Sequence, residues 1–164
     1  MNIKTILIAA FFIVIVSGAH AQTSDAEADA IINLLGVQKK EAISKLVPVS
    51  GKDSIAFWKI YDEYQQSNKA TAKDRIGLYE KTAQSYSNMT PAIADSLAAK
   101  YFTNRIEQEK SLQVYYNKIK VATNTIIAFE FYQAEVYMLT QLRAQIMQQI
   151  PTYGQFQAVI NKNK

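Results

Sequence analysis

Apolar residues recur at helical spacing along most of the chain, and three prolines, Pro48, Pro91 and Pro151, punctuate the pattern. Ser24-Asp25-Ala26-Glu27 reads as a capping box, in which the two end side chains satisfy free amides of a helix's first turn. It predicts a helix running to about Val47. Val49-Ser50 precedes a second segment from about Gly51 to Asn88, with Asp53 at the capping-box position relative to Ser50. At about 3.6 residues per turn, Phe57, Tyr61, Tyr64, Asn68, Ala72, Arg75, Tyr79, Thr82 and Tyr86 share one face of it. Lys59, Asp62, Glu63, Gln66, Lys73, Glu80, Lys81 and Gln84 share the other.

Thr90-Pro91 is a further helix start, an N-cap followed by a proline whose missing N–H costs nothing in the first turn. No Gly or Pro occurs from there to Ile150. As one rod that stretch would extend about 90 Å, so a hairpin is expected. Its break is placed near residues 121–125, where Val121, Thr123, Asn124 and Thr125 combine β-branching with N-cap preference. The helix after it, about Asn124–Ile150, is apolar around most of its circumference and is expected to be central. Beyond it a short segment ends in Asn161-Lys162-Asn163-Lys164, expected to fray. Neither strand-like alternation nor an internal repeat stands out. The expected fold class is all-α: long helical hairpins, about four helices plus a short C-terminal segment, in one domain over residues 22–164.

A different pattern opens the chain. Lys4 precedes an apolar run from Ile6 to Val16, and Ser17-Gly18-Ala19-His20-Ala21 follows, with small residues at 19 and 21. This is the three-part pattern of a secretory signal peptide over residues 1–21, cut between Ala21 and Gln22. Read as a membrane anchor, the run would span only about 16 Å against a hydrocarbon core of about 30 Å. The chain has no Cys for lipoprotein-type attachment. The expected product is exported without stable membrane insertion, to a periplasm if the cell has an outer membrane and to the exterior otherwise.

Export changes the reading of the composition. The chain's one His lies in the leader and leaves with it. A mature chain without His or Cys has no His- or thiolate-ligated metal site, no Cys or Ser-His nucleophile and no disulfide. Its stability must come from packing. The net charge of +4 becomes +3 without Lys4, and the charges are interspersed. With no basic block and no glycine-rich phosphate loop, nucleic acid is set aside as a partner, and no cofactor is expected. Ten Tyr against five Gly and three Pro point to long helices with an aromatic core.

Three charges fall where the helical wheel expects apolar residues: Arg75, Arg105 and Glu135. Arg75 lies within the tyrosine stripe, Arg105 among Tyr101, Phe102 and Leu112, and Glu135 among Phe131, Tyr132, Leu139 and Leu142. If the chain turns near residue 122, Arg105 and Glu135 are expected within about one turn of each other. One reading is a carboxylate in an apolar cleft that acts as acid or base, or holds a cation. The favoured reading is a set of buried structural ion pairs that fix helix register, with arginine suited by its planar fork. Asp95, Glu107 and Glu109 lie on different faces and read as solvated surface rather than a hard-cation site. Ser50 and Thr90 are accounted for by capping, and the tyrosine stripes by the core.

Phe57-Trp58-Lys59-Ile60-Tyr61-Asp62-Glu63-Tyr64 resembles the aromatic block after the first LTxxQ-type motif of small periplasmic helical proteins of the Spy/CpxP grouping, in particular their Bacteroidota-type branch. Asp74-Arg75, Tyr86 with Met89-Thr90, Phe131-Tyr132-Gln133 with Glu135, and Gln145-Ile146 with Gln149-Ile150-Pro151 continue the likeness in order, over residues 49–151. The motif position itself reads Val49-Ser50-Gly51-Lys52-Asp53, and Lys59 replaces a usual proline. The second motif, near Ala122-Thr123-Asn124, is barely recognisable. The resemblance implies long kinked helical hairpins, often paired as a curved antiparallel homodimer. It implies a non-enzymatic role, as an ATP-independent chaperone for unfolded proteins or as an adaptor of envelope-stress proteins. A small-ligand or metal-responsive sensor and a structural envelope protein are the alternatives. No client-binding residue carries over.

Overall fold

The computed structural model describes residues 25–162, without the side chains of 25–28, 31 and 34. The signal peptide, its cut, the Ser24 cap and the last two residues lie outside that range. The described chain is helical throughout: α1 (Asp25–Leu46), α2 (Gly51–Ser67), α3 (Lys69–Gln84), α4 (Pro91–Ala122), α5 (Thr125–Gln149) and α6 (Tyr153–Lys162), with a 3-10 turn at Ser85–Asn88. The fold is all-α.

Local chemistry sets the boundaries. The Thr90 side chain accepts from the Ile93 amide at 3.2 Å, and Pro91 follows it. At the other end of α4 the hairpin turns at Thr123-Asn124, inside the expected break. There Thr123 closes α4, its amide and hydroxyl both donating to the Ile119 carbonyl, and Asn124 Oδ1 opens α5 by accepting from the Ile126 and Ile127 amides at 2.9 and 3.0 Å. Ser50 has the extended backbone of a cap, but its side chain makes no capping bond. Gly51, at φ +58°, makes the turn into α2 instead, in a left-handed conformation that glycine adopts without a Cβ clash.

The expected long second helix is bent. At Asn68 the backbone amide still donates to the Tyr64 carbonyl at 3.1 Å. The Asn68 side chain reaches the same oxygen at 2.7 Å, and the Ser67 hydroxyl reaches it at 3.0 Å. Side chains inserted into the ladder in this way divide α2 from α3. Asn68 Nδ2 also meets Ser111 Oγ at 2.9 Å, which ties the joint to α4.

Four antiparallel legs result: α1, the bent α2–α3, α4 and α5. Lys40 pairs with Asp62, and the Gln65 side chain donates to the Gly36 carbonyl, so α1 runs back along α2. Asn68 with Ser111 and Thr82 with Tyr101 set α2–α3 against α4. Lys39 with Glu135 closes the ring between α1 and α5. The core is lopsided. Ile43, Val47, Phe57, Tyr61, Tyr64, Leu112, Ile119, Ala128, Phe131 and Ala134 form one cluster. It lies towards the Thr123-Asn124 turn. Further along α4 the buried positions include Asn104 and Gln108. At that far end α6 folds back on the 3-10 turn, where Tyr86 stacks near Tyr153 and Phe156 and donates to the Pro151 carbonyl at 2.8 Å.

Two expectations need correction. α5 is not buried all round: Ala128, Phe131, Ala134, Glu135 and Ile146 are covered, while Ile126, Phe129, Tyr132, Tyr137 and Met147 are exposed. Apolar composition alone did not show that a four-legged bundle covers only one side of each leg. The C-terminal segment is also a helix, from Tyr153 to Lys162, and its Tyr153 and Phe156 pack against Tyr86.

Candidate functional site

Glu135 is wholly buried on α5 and receives three donors. Tyr61 Oη donates to Oε1 at 3.1 Å, Tyr64 Oη donates to Oε2 at 2.9 Å, and Lys39 Nζ lies 2.6 Å from Oε2. The phenols are one turn apart on α2 and reach the carboxylate from a stack of rings. Phe131 meets the Tyr64 ring edge-on at 5.3 Å and the Tyr61 ring at 6.2 Å. Lys39 comes from α1 over the face of Tyr64, 5.1 Å from its centroid, with about one-fifth of its side chain exposed. Burial, then the charge of Glu135 and the hydrogen bond to it, push both phenol pKa values far above the ordinary tyrosine range. A carboxylate saturated by three donors and sealed under aromatic rings is held in place rather than offered to a substrate. It joins α1, α2 and α5.

The arginines are elsewhere. Arg75 is half-buried on α3, and its Nε donates to Asn104 Oδ1 at 2.7 Å rather than pairing with Glu135. Arg105 is exposed, so the expected buried set of Arg75, Arg105 and Glu135 does not form. Axial level and rotation explain it. Arg105 stands eighteen residues before Thr123 and Glu135 eleven after Asn124. That seven-residue offset separates their levels by about 10 Å. Arg105 is also rotated by about 100° from Asn104, which takes the inward position.

Lys39 was the partner that pattern reading missed. Its signal was available: it lies in line with the buried Ile43 on α1 and with the buried Val47 just past its end. The two phenols carried a second signal, since buried tyrosine hydroxyls need an acceptor.

A second arrangement is open to solvent. A groove of about 740 Å³ runs between α4 and α5 and is lined only by residues of those two helices. Its apolar walls are Ile106, Tyr116, Phe129 and Tyr132, its floor is Leu112, and Arg105, Glu109 and Lys110 stand around it. Phe102, two-thirds exposed at 66 %, extends the apolar strip along α4. Ile106 is 53 % exposed, Phe129 48 % and Tyr132 41 %. A strip of this kind lowers its free energy by covering apolar surface, at about 25 cal/mol per Å² removed from water. Asp95, Glu107 and Glu109 are each exposed, and among the described residues no three acidic, His or Cys side chains gather as a metal would need. No described helix is long and apolar enough to cross a membrane.

No family model matches the chain, and neither a curated protein nor a solved structure matches it significantly.

Proposed function

We propose that this chain is a non-enzymatic binding protein of the Spy/CpxP-like kind, exported from the cytoplasm, which holds partly unfolded or envelope proteins on its helical surface. The observation that supports the reading best is the uncovered apolar strip of Phe102, Ile106, Phe129 and Tyr132 beside Arg105, Glu109 and Lys110. Mixed charge around such a strip draws in segments of either sign, and shallow apolar contact holds them weakly enough to release. The Glu135 centre keeps the opposite side of the same hairpin rigid, with α2 locked across it.

The test is suppression of aggregation of an unrelated protein as it unfolds, with the purified chain at stoichiometric excess. The expected result is suppression that falls with added salt. The variant Ile106→Ser/Phe129→Ser, at exposed positions, is expected to lose most of it while keeping the wild-type melting temperature within a few degrees. No suppression by the wild-type protein would sink the chaperone reading and leave adaptor or structural roles.

A further inference from the structure

Three arginines from three helices come to one level of the bundle and pair with no carboxylate among the described residues. Arg75 is anchored through Nε by Asn104, and Asn104 is itself fixed by donating to the Thr71 carbonyl at 2.9 Å. The guanidinium plane is thereby set. Its terminal nitrogens have no acceptor among the described residues, and since no buried side-chain nitrogen there lacks a partner, they reach solvent. Arg105 follows Asn104 on α4. Arg143 stands opposite it on α5: one lies eighteen residues before Thr123, the other nineteen after Asn124. Among the described residues, the ion pairs involve lysines only, and none of the three arginines takes part. Glu109, one turn along α4, shares the groove wall with Arg105 without pairing to it.

The arrangement is electrostatically unfavourable as it stands. Burial is the largest cause lowering the pKa of the Arg75 guanidinium, Tyr79 opposes it, and the charges of Arg143 and Arg105 lower it further. Tyr79 is one turn beyond Arg75 on α3, packs against the Tyr101 ring, and has a hydroxyl with no hydrogen bond among the described residues. Guanidiniums with free edges offer paired N–H donors in the geometry that an oxyanion accepts, and converging cations are relieved when one binds.

We propose that Arg75, Arg105 and Arg143 form a binding site for an oxyanion of the phosphate class, either free or carried as a lipid headgroup. Arg75 is the fixed donor, held in place by Asn104, and the other two close on the anion from α4 and α5. The site shares Arg105 with the groove wall, but its test with phosphate and vesicles does not depend on protein binding there.

The test is calorimetric titration of the purified chain with inorganic phosphate, and separately with zwitterionic vesicles with or without an anionic phospholipid. Saturable binding is expected to weaken about tenfold or more in Arg105→Gln/Arg143→Gln. Among the described residues neither side chain makes a hydrogen bond, so this variant keeps the test open even if Arg75→Gln fails to fold. A second readout is thermal. Without phosphate the double variant should melt at or above the wild-type temperature, because repulsion is relieved; with saturating phosphate the order should reverse. Lys118→Gln/Lys120→Gln, a control of equal charge change, should bind as wild type does. Binding restricted to anionic vesicles and lost in the double variant assigns the site to a headgroup. No saturable binding of either probe, or equal binding by wild type and double variant, overturns it.

Discussion

Replacing Glu135 with glutamine removes one charge from the centre of the bundle while keeping shape and one acceptor oxygen. Lys39 then faces a neutral amide, and the two phenols, now 3.1 and 2.9 Å from carboxylate oxygens, lose a charged acceptor. Breaking a buried ion pair from one side costs about 3–5 kcal/mol. Lys39 is about one-fifth exposed, so it can turn part-way to water and recover some of this. A hydrogen bond to a charged group contributes about 1.5–3 kcal/mol against about 1 for a neutral one, which adds to the loss at the phenols. The expected destabilisation is about 2–4 kcal/mol. At about 3–4 °C per kcal/mol for a chain of this size, the melting temperature should fall by about 6–16 °C.

Urea unfolding followed through Trp58 measures it directly, because that indole packs edge-on against Phe57 and Tyr61 beside the centre. Lys39→Met completes a double-mutant cycle. It leaves a buried carboxylate with two phenols and no cation, and should cost about 3–5 kcal/mol alone. The double variant should be less destabilised than the two singles summed, by at least about 1 kcal/mol. Glu135→Gln within about 0.5 kcal/mol of wild type, or single effects that simply add, would refute the idea that the pair holds α1 and α5 together.

The raised phenol pKa values give stability a defined alkaline limit. Tyr61 and Tyr64 titrate near 10 when unfolded and far higher when folded, so their contribution is complete below about pH 10 and is lost as pH rises above it. Above that point the two should remove about 2.7 kcal/mol of stability per pH unit together, and Tyr61→Phe should take away about half of that share, while Tyr86 and Tyr101, whose pKa values burial also raises, keep theirs. Asn124→Ala takes away both capping bonds at the start of α5 and should cost about 1–2 kcal/mol. Hydrogen exchange should show faster opening at the Ile126 and Ile127 amides; unchanged protection there would mean that the hairpin turn is held by packing alone.

Much of the architecture was legible along the chain because its causes are local. Thr90-Pro91 and Thr123-Asn124 act within one turn of themselves, so residue type alone marks where α4 begins and where the hairpin breaks. The stripe of Phe57, Tyr61 and Tyr64 predicted the buried face of α2, and the apolar neighbours of Glu135 predicted its burial. The bend at Asn68 was harder to read, because an asparagine in mid-helix bends it only when its side chain turns back to Tyr64 and finds Ser111 across the bundle.

What the sequence by itself determined, then, is the helices, their punctuation and the inward face of most of them. Only the tertiary structure decided which charges meet. Glu135 pairs with Lys39, ninety-six positions earlier, while Arg105 stays in solvent and shares its level with Arg143. The physical reason is the difference in range. Helical periodicity is fixed by neighbours three and four residues apart, whereas partnership across helices depends on the axial level and rotation of each leg, and those emerge only when all four legs pack at once.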